Sequence, residues 1–370
     1  MCSYADSVAQ MRAICIADFI TCPLGRRAFQ DYTESNTRWR EEFALDAAVN
    51  TAVLLFYKLS RSGSIRVRFR SWSWFLGMMS FMLVTAIWGY SNIVIHQGEA
   101  AISPAVLLWM RFAVAGVVML PVVLRLRLSR RDWLFGLGTG VVLGLSVLAQ
   151  GWAMMTVPVD EVAFITALYV VFTPLGASLL HRMWPPRLVW FAVGLSLVGM
   201  TLLIGRLSVN LHIGILWAMV AALGISVQII ATTSLVKTVS SVQLAGLQSE
   251  GAAITLTLAV MIQGAFYPSI YAGLFHWTPV QWFWIGYLAI AATVVAVFLQ
   301  SWGQARISAT EAALAFNMEP VWTALFALAV LSQGMTAAQV TGAALIVGSL
   351  SAVSGSGRSR NGQILGEGMR

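Results

Sequence analysis

The stretch Gln150-Gly-Trp-Ala-Met-Met-Thr-Val-Pro-Val-Asp-Glu-Val-Ala163 has a counterpart 150 residues further on. Gln150-Gly-Trp152 answers Gln300-Ser-Trp302, Glu161 answers Glu311, and Ala163 answers Ala313. Shorter echoes accompany it. At an offset of 137, Ser103 answers Ser240 and Arg111 answers Gln248; at 135, Gly89 answers Gly224 and Ser91 answers Ser226. A shared register of this kind marks an internal repeat, and a missed repeat mis-assigns the whole fold.

The repeat is embedded in an unusually apolar chain. Of 370 residues, 58% are hydrophobic and 10% charged, against about 25% charged in soluble domains. Too little polar surface is available to disperse a soluble fold. A spanning helix needs about 20 mostly apolar residues. Ten such stretches are predicted: Trp74–Ile95, Pro104–Leu124, Trp133–Met155, Glu161–Leu180, Leu188–Ile204, Ile213–Leu235, Val242–Ala265, Pro279–Trp302, Thr310–Leu331 and Ala337–Val353. The expected fold is an all-α integral membrane protein of ten transmembrane helices, arranged as two inverted five-helix repeats. Pro158 and Asp160 precede the fourth helix, Trp184-Pro185-Pro186 the fifth, and Thr310-Glu311 reads as the cap of the ninth. Trp72, Trp74, Trp133, Trp184, Trp277 and Trp284 cluster at helix ends, as interfacial aromatics do.

Five helices per repeat is an odd number, so the two halves enter the membrane in opposite directions. Orientation follows from loop charge. With a cytoplasmic N-terminus, the inner segments hold Lys58, Arg61, Arg66, Arg68, Arg70, Arg125, Arg127, Arg130, Arg131, Arg182, Arg187, Lys237, Arg306, Arg358 and Arg360, and the outer loops only Arg206. Fifteen against one places both termini inside. The net charge of +8 is therefore flanking charge, not a nucleic-acid footprint; no basic stripe is interleaved with stacking aromatics. The expected location is the cell membrane, with the lipid bilayer as solvent.

The domain division expected is an N-terminal extension over 1–72, repeats over 73–205 and 206–355, and a cytoplasmic tail over 356–370. The extension lacks a clean apolar run, reads as disordered or as sequence upstream of a start at Met78 or Met79, and carries all three cysteines, Cys2, Cys15 and Cys22. Their spacing gives neither a disulfide framework nor a zinc site. The four histidines, His96, His181, His212 and His276, lie near span ends and far apart in sequence. There is no Gly-rich phosphate loop, no metal spacing and no nucleophile elbow. No cofactor is expected, and without a nucleotide motif any transport is secondary or facilitated.

The runs Leu148-Ala-Gln-Gly-Trp152, Ala163-Phe-Ile-Thr-Ala-Leu-Tyr169 and Ala313-Leu-Ala-Phe-Asn-Met-Glu-Pro320 resemble the EamA family of the drug/metabolite transporter superfamily, as do Trp88-Gly89, Arg111-Phe112 and Thr341-Gly342-Ala-Ala-Leu-Ile346. The resemblance spans roughly Leu83 to Val353. It implies ten helices, cytoplasmic termini and a central cavity, and export of a small organic metabolite, amino acid-like or drug-like, as the activity. Family members often carry a Gly-Glu pair after the fourth and ninth helices; here those places read His181-Arg182 and Ser332-Gln333.

Ionisable residues inside a span are expensive and mark function by default. Arg111, Glu250 and Glu319 qualify. Arg111 reads as a cation facing substrate or as an anchor bonded to helix ends. Glu319 stands beside Pro320, which removes a backbone donor and bends a helix; it reads as a cavity carboxylate or as a packing residue. Mid-span polar and aromatic residues complete the candidates for a substrate cavity: Trp88, Tyr90, Asn92, Gln150, Tyr169, Gln228, Gln300 and Asn317. Amides hydrogen-bond polar groups, and Trp and Tyr offer faces to apolar or cationic ones; interhelical packing bonds are the competing reading. Gly136, Gly140 and Gly144 form a small-residue face for close helix approach, and Pro174 and Pro320 are candidate hinges. Inverted repeats place a substrate site near midplane between the halves. Alternating access for a small-molecule substrate follows, with ion coupling open. The rival readings are a lipid-handling flippase and a membrane-embedded transferase.

Overall fold

A computed structural model describes residues 64–98, 104–182, 184–205, 213–271 and 278–367. The extension up to residue 63 with its cysteines, and Arg206, His212, His276 and Trp277, lie outside the described residues. The chain divides into two units, Met1–Trp72 and Ser73–Arg370.

Among the described residues every regular element is helical. Nine segments are long and apolar enough to cross a membrane, and each agrees with its predicted stretch to within a few residues. The tenth, Ala337–Val353, is a shorter apolar stretch that opens a helix running to Glu367. In chain order the helices are α1 (Ser64–Gly98), α2 (Pro104–Val123), α3 (Arg130–Met154), α4 (Val159–Thr166), α5 (Tyr169–His181), α6 (Arg187–Ile204), α7 (Ile213–Leu235), α8 (Ser241–Phe266), α9 (Pro279–Ala289), α10 (Ala296–Gln304), α11 (Ala309–Phe316), α12 (Glu319–Leu331) and α13 (Ala337–Glu367). Their outward faces are apolar, with Leu179, Phe191, Leu216 and Phe283 more than half exposed, as a lipid-facing surface requires.

Helix starts follow capping chemistry. Ser240 with Gln243, and Thr278 with Gln281, form reciprocal capping boxes. Span 9 opens in the same way, but its cap is Ser308 rather than Thr310: Glu311 N–H donates to Ser308 Oγ, and Glu311 Oε2 accepts from the Ser308 N–H at 2.8 Å. The cap sits three residues before the carboxylate, which is the spacing the box needs.

Close packing runs through small residues. A β-carbon at Gly140 would stand 2.5 Å from the Gln248 carbonyl oxygen, and one at Gly144 3.0 Å from Ala252 Cα. The glycine face of α3 thus lets it nest against α8. Spans 5 and 10 cross at Gly199 and Gly342, where each added β-carbon would meet the other's carbonyl oxygen at 2.7 and 2.5 Å.

Spans 4 and 9, expected as continuous helices, are each broken at mid-length. α4 gives way to α5 through Ala167–Leu168, and α11 to α12 through Asn317–Met318, again 150 residues apart. The turns are tight: Leu168 N–H donates to Ile165 C=O, and Met318 N–H to Ala315 C=O, three residues back in each case. Pro320 fits the first turn of α12, where no donor is needed. Val170 holds the corresponding place in the first repeat, so proline is not required for the break. Both broken spans also end alike, on the left-handed residues Arg182 (φ 52°) and Ser332 (φ 54°). These two, not His181 and Ser332, are therefore the equivalent positions.

Span 8 is interrupted differently. A π-helical turn over Ile290–Val295 separates α9 from α10, whereas its counterpart α3 is unbroken. π-Turns widen the ring of backbone bonds and occur disproportionately at functional sites.

Candidate functional site

Within the π-turn, the buried Ala292 carbonyl is met by two side chains from other spans. Ala292 C=O accepts from Arg111 Nη2 at 2.7 Å and from the Trp88 indole N–H at 2.8 Å. One residue on, Thr293 Oγ1 accepts from Arg111 Nε at 2.6 Å and donates to Leu288 C=O, five residues back, at 2.9 Å. Spans 1, 2 and 8 are thereby tied at one point. The guanidinium also lies 5.4 Å from the Phe112 ring. Its remaining nitrogen, Nη1, makes no hydrogen bond with a described residue.

Facing this group is the break of span 9. Glu319 occupies the first turn of α12, where the positive end of the helix dipole favours a carboxylate. Its Oε1 accepts from Asn92 Nδ2 at 3.1 Å, and the same Nδ2 donates to Thr323 Oγ1 at 3.1 Å. Arg111 and Glu319 are within electrostatic reach of each other, and Tyr287 is within reach of Arg111. Yet the two form no ion pair within 4.0 Å. Both side chains are half-buried.

Aromatic rings close in around the two charges. Phe316, the last residue before the break, stacks on Trp88 at 5.4 Å between centroids and meets Tyr169 edge-on at 6.3 Å. Tyr90 packs edge-to-face against Tyr287 and Phe326, both at 5.5 Å. The two breaks are also joined directly. Tyr169 OH donates to Asn317 Oδ1 at 2.7 Å, and Asn317 Nδ2 donates to Ser196 Oγ at 2.8 Å.

Among the residues singled out in the sequence, Trp88, Tyr90, Asn92, Arg111, Tyr169, Asn317 and Glu319 therefore come together. The others do not. Gln228 and Gln300 are buried and bonded to each other, Gln300 Nε2 donating to Gln228 Oε1 at 3.1 Å and to Gln304 Oε1 at 3.2 Å. Gln304 in turn donates to Ile229 C=O and Thr233 Oγ1. This amide chain knits span 6 to span 8. Gln150 has no hydrogen bond or ring contact joining it to the group among the described residues. Glu250 lies against Gly116 of span 2, its Oε1 buried without a partner.

Sequence reasoning missed Thr293, Tyr287, Phe316, Thr323 and Ser196. The rule that selected Tyr169 and Gln300, a polar or aromatic side chain at mid-span, would have reached Thr293 and Tyr287. Phe316 stood inside a quoted motif. Nothing in the sequence signals the π-turn that gives Thr293 its neighbours.

The pseudo-symmetry extends to the chemistry. Arg111 of span 2 reaches Thr293 of span 8. Its counterpart Gln248 of span 7 donates through Nε2 to Thr139 Oγ1 of span 3 at 3.3 Å and to Thr232 Oγ1 at 2.7 Å. The equivalent pairs of spans are thus bridged by a guanidinium in one case and an amide in the other, although at the 150-residue offset Thr139 answers Ala289, about one turn before Thr293. Gln248 is fully buried.

Two five-helix units with matching breaks and matching cross-contacts agree with the comparison to known families, in which residues 75–205 and again 212–355 match the EamA-like transporter family. The chain belongs to the EamA-like transporter family. Over 269 residues it is 26% identical to an uncharacterized transporter of Archaeoglobus fulgidus, covering 73% of this chain and 82% of that one. A protein crystal structure resembles the fold with a TM-score of 0.62 at 20% identity, over 75% of this chain and 96% of the other. A multi-pass membrane transporter follows from this membership. In this EamA-like chain the facing cation and carboxylate occupy spans 2 and 9, one from each matched unit.

Proposed function

We propose that the chain is a secondary transporter of the cell membrane that exports small zwitterionic metabolites of the amino acid type, by alternating exposure of the site between its two halves. The observation that carries this reading is that Arg111 and Glu319, within electrostatic reach of each other, are not paired. A paired Arg and Glu would satisfy each other. Unpaired, with Nη1 of Arg111 uncommitted among the described residues, they complement a ligand bearing a carboxylate and an ammonium group. The surrounding rings of Trp88, Phe316, Tyr90 and Tyr287 suit apolar portions and, through their faces, the ammonium. Export as direction, and termini on the cytoplasmic side, rest on the family resemblance and the loop charges.

Comparative metabolomics of medium and cells, with and without the protein, tests the proposal. Zwitterionic compounds should accumulate in the medium of producing cells. Arg111→Gln and Glu319→Gln, at unchanged membrane abundance, should each shrink the difference. An exported set lacking the carboxylate or the amine would overturn the substrate class.

A further inference from the structure

We propose that Thr293 is a positioning residue of this site: together with the Ala292 carbonyl it forms a socket that fixes the Arg111 guanidinium and leaves Nη1 as its ligand-binding edge. The inference rests on the zwitterion reading above for the ligand, but not for the socket itself.

A guanidinium has five N–H donors in a rigid plane, so two bonds to fixed acceptors determine where the rest point. Arg111 has two such bonds, from Nε to Thr293 Oγ1 and from Nη2 to Ala292 C=O. The hydroxyl is itself held. Because Thr293 donates its proton to Leu288 C=O, its lone pairs are turned toward Arg111, so it meets the cation as an acceptor. Thr293 and Ala292 are both fully buried, so neither touches a ligand; Thr293 can act only through Arg111. The Trp88 indole braces the Ala292 carbonyl from span 1.

The equivalent crossing, of span 7 with span 3, shows a threonine contact away from the site. Gln248 meets Thr139, its Nε2 is shared between Thr139 and Thr232, and Gln248 is sealed within the packing. There the threonine merely satisfies an amide. At Arg111 the Thr293 hydroxyl takes one nitrogen, the Ala292 carbonyl takes another, and the third meets no partner among the described residues. The π-turn is the element present on one side only.

The test uses the full chain in proteoliposomes. Arginine-directed labelling with phenylglyoxal, quantified at Arg111 by mass spectrometry, needs no substrate. Thr293→Val keeps the shape and removes the acceptor, so Arg111 should label several-fold faster; Thr293→Ser should label as the parent does. In parallel, efflux of an equimolar mixture of common L-amino acids should show KM raised about tenfold in Thr293→Val, the loss expected for one bond to a charged group. Vmax should stay near the parent value, and Thr293→Ser should restore KM. Equal labelling of Arg111 in parent and Thr293→Val, including none in either, overturns the positioning role. So does a fall in Vmax alone, which marks a structural threonine. Where Thr293→Val does not insert, Thr293→Cys, similar in size and a weaker acceptor, takes its place in the same readings. If the parent moves no amino acid, the substrate class fails while the labelling result still decides the socket.

Discussion

At the scale of single residues, the role of Glu319 separates from that of its neighbour Asn317. Asn317 spends its oxygen on Tyr169 and its nitrogen on Ser196 and is almost fully buried. Glu319 receives one bond from Asn92 and keeps its second oxygen. Glu319→Gln preserves volume and hydrogen bonding and removes the charge. Transport by this variant should fall at unchanged abundance and melting temperature, and its residual activity should vary less with pH than the parent's. Parental rate and pH profile would remove Glu319 from the mechanism. A second prediction concerns Ser332. A left-handed conformation costs an L-residue about 1–2 kcal/mol, and glycine escapes most of it. Ser332→Gly should raise stability by up to about 1 kcal/mol in thermal unfolding of the purified protein. An unchanged or lower midpoint would mean that its side chain offsets the strain. How far single residues were legible in the sequence differs case by case. Arg111 and Glu319 announced themselves by charge in an apolar span. Gln228 and Gln300 did so by the same polarity, and proved to bond each other. Polarity marks a residue that needs a partner; it does not say whether the partner is protein or ligand.

At the scale of helices, the small-residue faces set how closely the spans approach. Gly199 and Gly342 bring two backbones into contact at the crossing of spans 5 and 10. Gly199→Val should therefore force the helices apart, at a loss of about 1–3 kcal/mol typical of overpacking. The measure is the thermal midpoint. Gly194→Val on the same helix, where an added β-carbon meets nothing within 4 Å, is the control and should be nearly neutral. Equal effects at both positions would refute the crossing. The positions of the spans were readable to a few residues because apolar length is a property of the sequence itself. The breaks in spans 4 and 9 were not. Their residues, Ala167–Leu168 and Asn317–Met318, are ordinary helix formers or nearly so, and only the second is followed by proline. The geometry is set by what packs against the turn, above all the bond between Tyr169 and Asn317, and such a contact between residues 148 apart is invisible to local pattern.

At the scale of the whole molecule, topology is the quantity that loop charge fixes. Cysteines introduced at Gly98 and Ala272 should react with an impermeant thiol reagent from outside, and those at Ser129 and Ser354 should not. Protection at Gly98 with labelling at Ser129 would invert the orientation.

One further consequence follows from the mismatch between Arg111 and Gln248. Picture an ancestor made of two identical five-helix subunits inserted in opposite directions and paired about a two-fold axis in the membrane plane. Any side chain would then appear twice, related by the dyad. A guanidinium at the place of Arg111 would bring a second at the place of Gln248, and a carboxylate at Glu319 would bring another at Tyr169. Such an assembly can build a doubly positive centre or a doubly negative one, but each cation has its mirror image and the dipoles oppose. Joining both subunits in one polypeptide lifts that restriction, since the two copies mutate separately. Only then can one pole of a binding site be positive and the other negative. For cargo bound on the dyad itself, telling one end from the other requires two halves that differ.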